Sequence, residues 1–104
     1  MRRLKALASR GPERTPSHMK KIVMYRTRAC PFCVAAERLL RHKGAEFDEV
    51  YLDDHPDRRS FTAEILPGHR SVPLIVIDEE PIGGFDTLRE LDMRGALDLA
   101  LGVG

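Results

Sequence analysis

Along the chain, short runs of β-branched and aromatic residues alternate with longer stretches in which apolar side chains return every three or four positions. The first pattern suits strands and the second helices. Ile22, Val23, Met24 and Tyr25 make a strand run that stops before Cys30-Pro31-Phe32-Cys33. Pro31 suits the first turn of a helix, where its missing N–H costs nothing. Cys33, Ala36, Leu39 and Leu40 then share one face while Glu37, Arg38 and Arg41 take the other, and Gly44 offers a C-cap. Phe47 to Leu52 reads as a second strand. Asp53, Asp54, Pro56 and Asp57 form a turn that opens a second helix, with Phe61, Ile65 and Leu66 inward and Pro67-Gly68 closing it. Val72 to Ile77 is a continuous apolar run for a central strand, Asp78-Glu79-Glu80 a polar hairpin loop, and Pro81-Ile82 the start of an edge strand that Gly83-Gly84 ends. Thr87 and Glu90 have capping-box spacing for a last helix, with Leu88, Leu91, Leu97 and Leu101 inward and an interruption near Gly95. The order β-α-β-α-β-β-α predicts an α/β domain, a four-stranded mixed sheet flanked by helices.

Composition narrows what such a domain does. A chain of 104 residues has room for one core, so separate cofactor and substrate lobes are excluded. No uninterrupted apolar run approaches the roughly 20 residues of a membrane span, and a formal net charge of +1 lacks the basic excess of a nucleic-acid reader. Neither a membrane nor a nucleic acid is an expected partner. The charge is unevenly placed, because residues 1–18 hold Arg2, Arg3, Lys5, Arg10 and Arg14 against Glu13 alone. Gly11-Pro12 and Pro16 break any helix there, so residues 1–18 are expected to be a basic, disordered leader and residues 19–104 the folded domain. The leader fits a start upstream of the real Met19, an expression scar, or an Arg-rich presequence. The expected location is the cytoplasm, or an organelle matrix if the leader is a presequence.

The two cysteines are too few for a stapled secreted scaffold and lie only three positions apart. A Cys-x-x-Cys pair across a strand-to-helix junction places its first sulfur among unpaired N–H groups at the positive end of the helix dipole. Such sites lower a thiol pKa from about 8.5 into the range of roughly 3.5–7.5. Cys30 is therefore the candidate nucleophile and Cys33, one turn inside, the resolving thiol. Arg26 and Arg28, close upstream, are candidates for stabilising the thiolate. A structural zinc site would need four ligands, and no second cysteine pair exists. His42, His55 and His69 have no partners at ligand spacing, and no metal is expected.

Cys30-Pro31-Phe32-Cys33 after a short strand, then Ser71-Val72-Pro73, then Gly83-Gly84-Phe85-Asp86, in that order, resemble a dithiol glutaredoxin from Lys20 to about Leu101. The resemblance implies the thioredoxin fold and a thiol–disulfide oxidoreductase that reduces protein disulfides and glutathione mixed disulfides. It implies glutathione as co-substrate and electron donor, glutathione reductase as the indirect source of electrons, disulfide-containing or glutathionylated proteins as partners, and a monomer. Cys30 would attack the mixed disulfide and Cys33 would resolve protein disulfides. Pro73 resembles the family's cis-proline, which would turn the Val72 backbone toward the cysteines to pair with a bound peptide. Gly84, Phe85, Asp86 and Thr87 resemble the family's second half-site. There glycine lets the ligand approach, helix N–H groups meet its γ-glutamyl carboxylate and Asp86 takes its amine. Phe32 and Arg70 complete the implied glutathione set, with Arg70 aimed at the glycyl carboxylate.

Three positions depart from the family pattern. Thr27 stands where lysine is usual, Thr87 where a second aspartate follows the first, and Leu74 where glutamine is frequent. Each removes a polar contact to glutathione, and Phe32 replaces a frequent tyrosine at the loss of its hydroxyl only. Two other functions stay open at this point. One is a glutaredoxin-like electron donor reduced by thioredoxin reductase, which the acidic residue at Asp86 disfavours. The other is a carrier of a glutathione-ligated [2Fe–2S] cluster, which Pro31 disfavours.

Overall fold

The computed structural model describes residues 20–103. The expected leader over residues 1–18 lies outside them. The elements follow the expected order: β1 (Ile22–Arg26), α1 (Pro31–His42), β2 (Asp48–Tyr51), α2 (Arg58–Ile65), β3 (Leu74–Ile77), β4 (Glu80–Gly83), α3 (Phe85–Met93) and α4 (Leu97–Leu101). One mixed sheet forms in the order β2-β1-β3-β4. β1 and β2 run parallel, joined through α1, whereas β1–β3 and β3–β4 are antiparallel. This is the thioredoxin fold, and it puts β1 and β3 in the centre, where their register sets Met24 opposite Ile75.

Alternation along β1 sends Ile22, Met24 and Arg26 to one buried face and Val23 and Tyr25 to the other. The first face carries the core, in which Ile22, Met24, Ile75 and Ile77 meet Ala36 and Leu40 of α1, Leu88 of α3, and Leu97 and Leu101 of α4. Lys43, the C-cap of α1, ties that helix to the other two through Asp92 at 2.7 Å and Asp98 at 3.2 Å. Over the opposite face lies α2, whose Phe61 meets Tyr25 edge-on at 5.3 Å between centroids.

Local departures have local causes. The central strand begins at Leu74, two residues later than its apolar run, because Val72 and Pro73 belong to a loop with a cis peptide between them. In α2 the fully buried residue is Thr62, while Phe61, Ile65 and Leu66 are half-buried. Its hydroxyl donates to the carbonyls of Arg58 and Arg59 at 3.2 and 3.1 Å, so it enters the core already satisfied. The expected capping box at Thr87 and Glu90 does not form. α3 starts at Phe85 behind Gly84 with no side-chain cap, which leaves Thr87 inside the first turn. The last helix breaks at Gly95 (φ +74°) into α3 and α4.

Candidate functional site

Cys30 is the N-cap of α1, with an extended backbone (φ −137°, ψ 104°), and Pro31 follows in the first helical turn. The Cys30 Sγ accepts the N–H of Cys33 at 3.1 Å. A sulfur so placed meets an N–H that the helix itself leaves unpaired, and the contact strengthens as the sulfur gains charge. Cys33 has no exposed surface, whereas Cys30 is half-buried. An incoming disulfide can therefore reach only the first sulfur. The two cysteines are joined as a disulfide with their Cα atoms 5.2 Å apart, a separation usual for such bridges.

Opposite Cys30 stands the cis Val72–Pro73 peptide, with the Val72 carbonyl oxygen 3.8 Å from Cys30 Sγ. From Val72 a groove of about 530 Å³ runs to the start of α3. Phe32, Val72, Pro73, Gly84, Phe85, Asp86 and Thr87 line it, so the structure gathers every residue of the implied glutathione set except Arg70. Phe32 and Phe85 stack with centroids 6.4 Å apart and planes at 30°, forming an aromatic rim of which Phe32 is 62% exposed. The glycines are needed where β4 turns into α3. At Gly83 (φ +132°) a Cβ would meet Thr87 Oγ1 at 2.5 Å, and at Gly84 it would lie 3.1 Å from the Pro73 carbonyl oxygen and 3.3 Å from His69 Cε1. With no side-chain cap on α3, its first N–H groups remain for a ligand anion, beside the exposed carboxylate of Asp86.

Several expectations need correction. Arg26 and Arg28 are already committed to carboxylates. Arg26 Nη1 lies 2.7 Å from both Glu37 of α1 and Glu49 of β2, and its guanidinium is 4% exposed. Burial pulls its pKa down, and the hydrogen bonds it donates to Glu37 and Glu49 more than reverse this, so it stays above its ordinary value. Arg28 is held by Asp53, which accepts its backbone N–H at 3.1 Å and pairs with Nη1 at 3.4 Å. Both guanidinium groups also lie over the exposed Tyr51 ring, at 5.0 and 4.9 Å, which makes that ring a cation–π platform. Neither arginine is a free charge for the Cys30 sulfur. Arg70 is absent from the groove wall and lines an adjoining hollow with Arg58 and Arg59. Leu74 is fully buried and Thr27 nearly so, and neither lines the groove.

His69 is the residue that sequence reasoning passed over. Its Nε2 lies 3.1 Å from the Pro73 carbonyl oxygen, and its ring forms part of the groove wall. The available signal was its place between Pro67-Gly68 and Ser71-Val72-Pro73, close in sequence to the proline loop. Among the described residues, no group of three or more His, Cys, Asp and Glu side chains is arranged to hold a metal ion, and no helix is long and apolar enough to cross a membrane.

A thioredoxin fold with a dithiol at the start of α1 and a cis-proline across from it defines a thiol–disulfide oxidoreductase of the thioredoxin-like superfamily. Comparison with known proteins narrows the class. Residues 22–82 match the Glutaredoxin family. The chain is 40% identical over 83 residues to a glutaredoxin of Pseudomonas aeruginosa, covering 80% of this chain and 98% of that one. To glutaredoxin 3 of Escherichia coli K12 it is 39% identical over 80 residues, covering 77% and 95%. The solution structure of a glutaredoxin from Brucella melitensis superposes with a TM-score of 0.73 at 36% identity, covering 86% and 97%. The chain belongs to the glutaredoxin family.

Proposed function

We propose that this glutaredoxin is a glutathione-dependent reductase of protein disulfides and glutathione mixed disulfides. The observation that carries the reading is the single groove that begins at Val72, beside Cys30, and ends at the open N-terminus of α3 beside Asp86. Its length and chemistry suit a short extended peptide with a carboxylate and an amine at its far end. The backbone of Val72 is placed to pair with the peptide's middle. The first-turn N–H groups of α3 suit the carboxylate, and Asp86 suits the ammonium.

In this reading the Cys30 thiolate attacks the glutathione-side sulfur of a mixed disulfide, the sulfur–sulfur bond breaks, and the partner leaves as a thiolate that takes up a proton. A second glutathione thiolate then attacks the glutathione sulfur held on Cys30. Oxidised glutathione departs, and the electron pair of the broken bond returns to Cys30. With a protein disulfide, Cys30 attacks one substrate sulfur and the other leaves as a thiol. Cys33 then gives up its proton and attacks Cys30, so the substrate departs as a dithiol and the Cys30–Cys33 disulfide remains for two glutathiones to reduce.

Turnover of a glutathionylated peptide, driven by glutathione and glutathione reductase, is compared with turnover driven by thioredoxin reductase alone. Saturable turnover only in the first system supports the reading. Equal or greater turnover with thioredoxin reductase overturns it.

A further inference from the structure

Thr27 to Cys30 carry the chain from the end of β1 to the start of α1, and charged side chains grip this short loop. Asp53 accepts the N–H of Arg28 at 3.1 Å, and Arg26 Nε donates to the Thr27 carbonyl at 3.3 Å. The same guanidinium reaches two further elements, because Nη1 donates to Glu37 of α1 and to Glu49 of β2, both at 2.7 Å. Glu37 lies four residues after Cys33, on the same face of α1. One buried side chain thus joins β2, the loop before Cys30 and the helix that Cys30 caps.

Burying such a cluster costs desolvation, and apolar side chains of like volume often stabilise a fold as well. What apolar packing lacks is direction. Ala36 and Leu40 hold α1 on the sheet by contacts that tolerate a small roll of the helix, whereas charge-assisted hydrogen bonds fix distance and angle. The contact that needs such precision is the Cys33 N–H on Cys30 Sγ, at 3.1 Å. A roll of α1, or a turn of the Thr27 peptide, would lengthen it. Net charge is not what the cluster supplies, since Arg26 and Arg41 face Glu37 and Glu49, and Arg28 faces Asp53.

We propose that Arg26 is a positioning residue for the nucleophile: by holding Glu37 of α1 and the Thr27 carbonyl together, it keeps the Cys30 sulfur on the Cys33 N–H and so favours the thiolate. The role is one of geometry and not of charge. It rests on Cys30 as the nucleophile of thiol–disulfide exchange, which is part of the proposed function, but not on glutathione. An assay without glutathione therefore tests it separately from that reading.

The test follows alkylation of the reduced full chain by iodoacetamide across pH, read by mass spectrometry as the adduct on Cys30. The thiolate displaces iodide and forms a sulfur–carbon bond, so the midpoint of the rate profile reports how readily the thiolate forms. Glu37→Met and Glu37→Gln both remove the carboxylate charge, but only glutamine keeps an acceptor for Arg26. A field effect would move both midpoints equally and downward. Positioning predicts a midpoint in Glu37→Met about one pH unit above that in Glu37→Gln, the size of a lost cap contact, so alkylation below the native midpoint slows about ten-fold between the two. R26M/E49Q removes one charge of each sign and leaves Glu37 paired with Arg41, and its midpoint is expected to rise in the same way. The limiting rate at high pH stays native in all three. Equal midpoints in the two Glu37 variants, a native midpoint in R26M/E49Q, or a slower limiting rate with an unmoved midpoint overturns the proposal. Circular dichroism checks folding. Glu37 keeps 27% exposure and both its replacements are good helix formers, so the Glu37 comparison decides the matter even where R26M/E49Q does not fold.

Discussion

The imidazole of His69 closes the groove from below by reaching the Pro73 carbonyl oxygen, 3.1 Å from its Nε2. A carbonyl only accepts, so Nε2 carries the proton in this contact. β4 ends at Gly83, and without His69 the Pro73 carbonyl would lose its side-chain donor at a position where Pro73 itself is buried. His69→Ala is expected to leave that oxygen short of a partner at a cost of about 1–3 kcal/mol. Because the same loop presents Val72 to the ligand, KM for a glutathione mixed disulfide should rise several-fold. Alkylation of Cys30 should keep its native rate. Slowed alkylation with unchanged KM would instead place the histidine in thiolate activation.

The cysteines predict a division of labour. Only Cys30 is reachable, so Cys30→Ser should abolish turnover of every substrate. Cys33 is fully buried behind it and serves only to resolve a protein bound to Cys30. Cys33→Ser should therefore keep deglutathionylation in the glutathione-coupled assay and lose reduction of intramolecular disulfides. Equal activity in the two variants would refute the assigned roles.

The Arg26 cluster predicts a pH dependence of stability. The hydrogen bond from Arg26 holds the Glu37 carboxyl below its ordinary value of 4.5, partly opposed by burial and helped by Arg41. A carboxyl whose folded pKa is depressed contributes stability that is complete above its unfolded pKa and is lost as pH falls through the lower folded value. The acid limb of a melting-temperature profile should thus steepen below about pH 4.5 and flatten there in Glu37→Gln. Arg26→Met leaves Glu49 without its cation and Glu37 with Arg41 alone. Glu37 and Glu49 keep 27% and 21% exposure, so the cost should be about 1–3 kcal/mol, below the 3–5 kcal/mol of a fully buried pair. A variant as stable as the native chain at neutral pH would show that the cluster is offset by its desolvation.

What the chain discloses about itself depends on how local the cause is. The strand and helix order is legible because Ile22–Tyr25 and the apolar stripe of α1 carry their periods within a few residues. Cys30 as nucleophile is legible for the same reason, since Pro31 marks the helix start that gives the sulfur its N–H partner. The fates of Arg26 and Arg28 are not, because Glu37, Glu49 and Asp53 approach them only once α1 and β2 have packed beside β1. His69 is hidden likewise, as its partner carbonyl is turned toward it by the loop fold. Thr87 has the spacing of a capping residue, yet Gly84 accommodates the close approach of the proline loop, and α3 begins directly after it.

Asp86 offers the most direct probe of ligand orientation. It lies in the first turn of α3, exposed, at the far end of the groove from Cys30. There its negative charge is favoured by the helix dipole, and it can accept from an ammonium while the neighbouring N–H groups hold a carboxylate. Asp86→Asn keeps the shape and removes the charge. An exposed charge-assisted contact contributes on the order of 1 kcal/mol, so KM for a glutathione mixed disulfide should rise about five-fold. A matched mixed disulfide whose glutathione lacks the γ-glutamyl amine should bind weakly to the native protein and no more weakly to the variant. If Asp86→Asn weakened both ligands equally, the aspartate would act through the shape of α3 instead of through the amine, and the glutathione orientation proposed for the groove would have to be reversed.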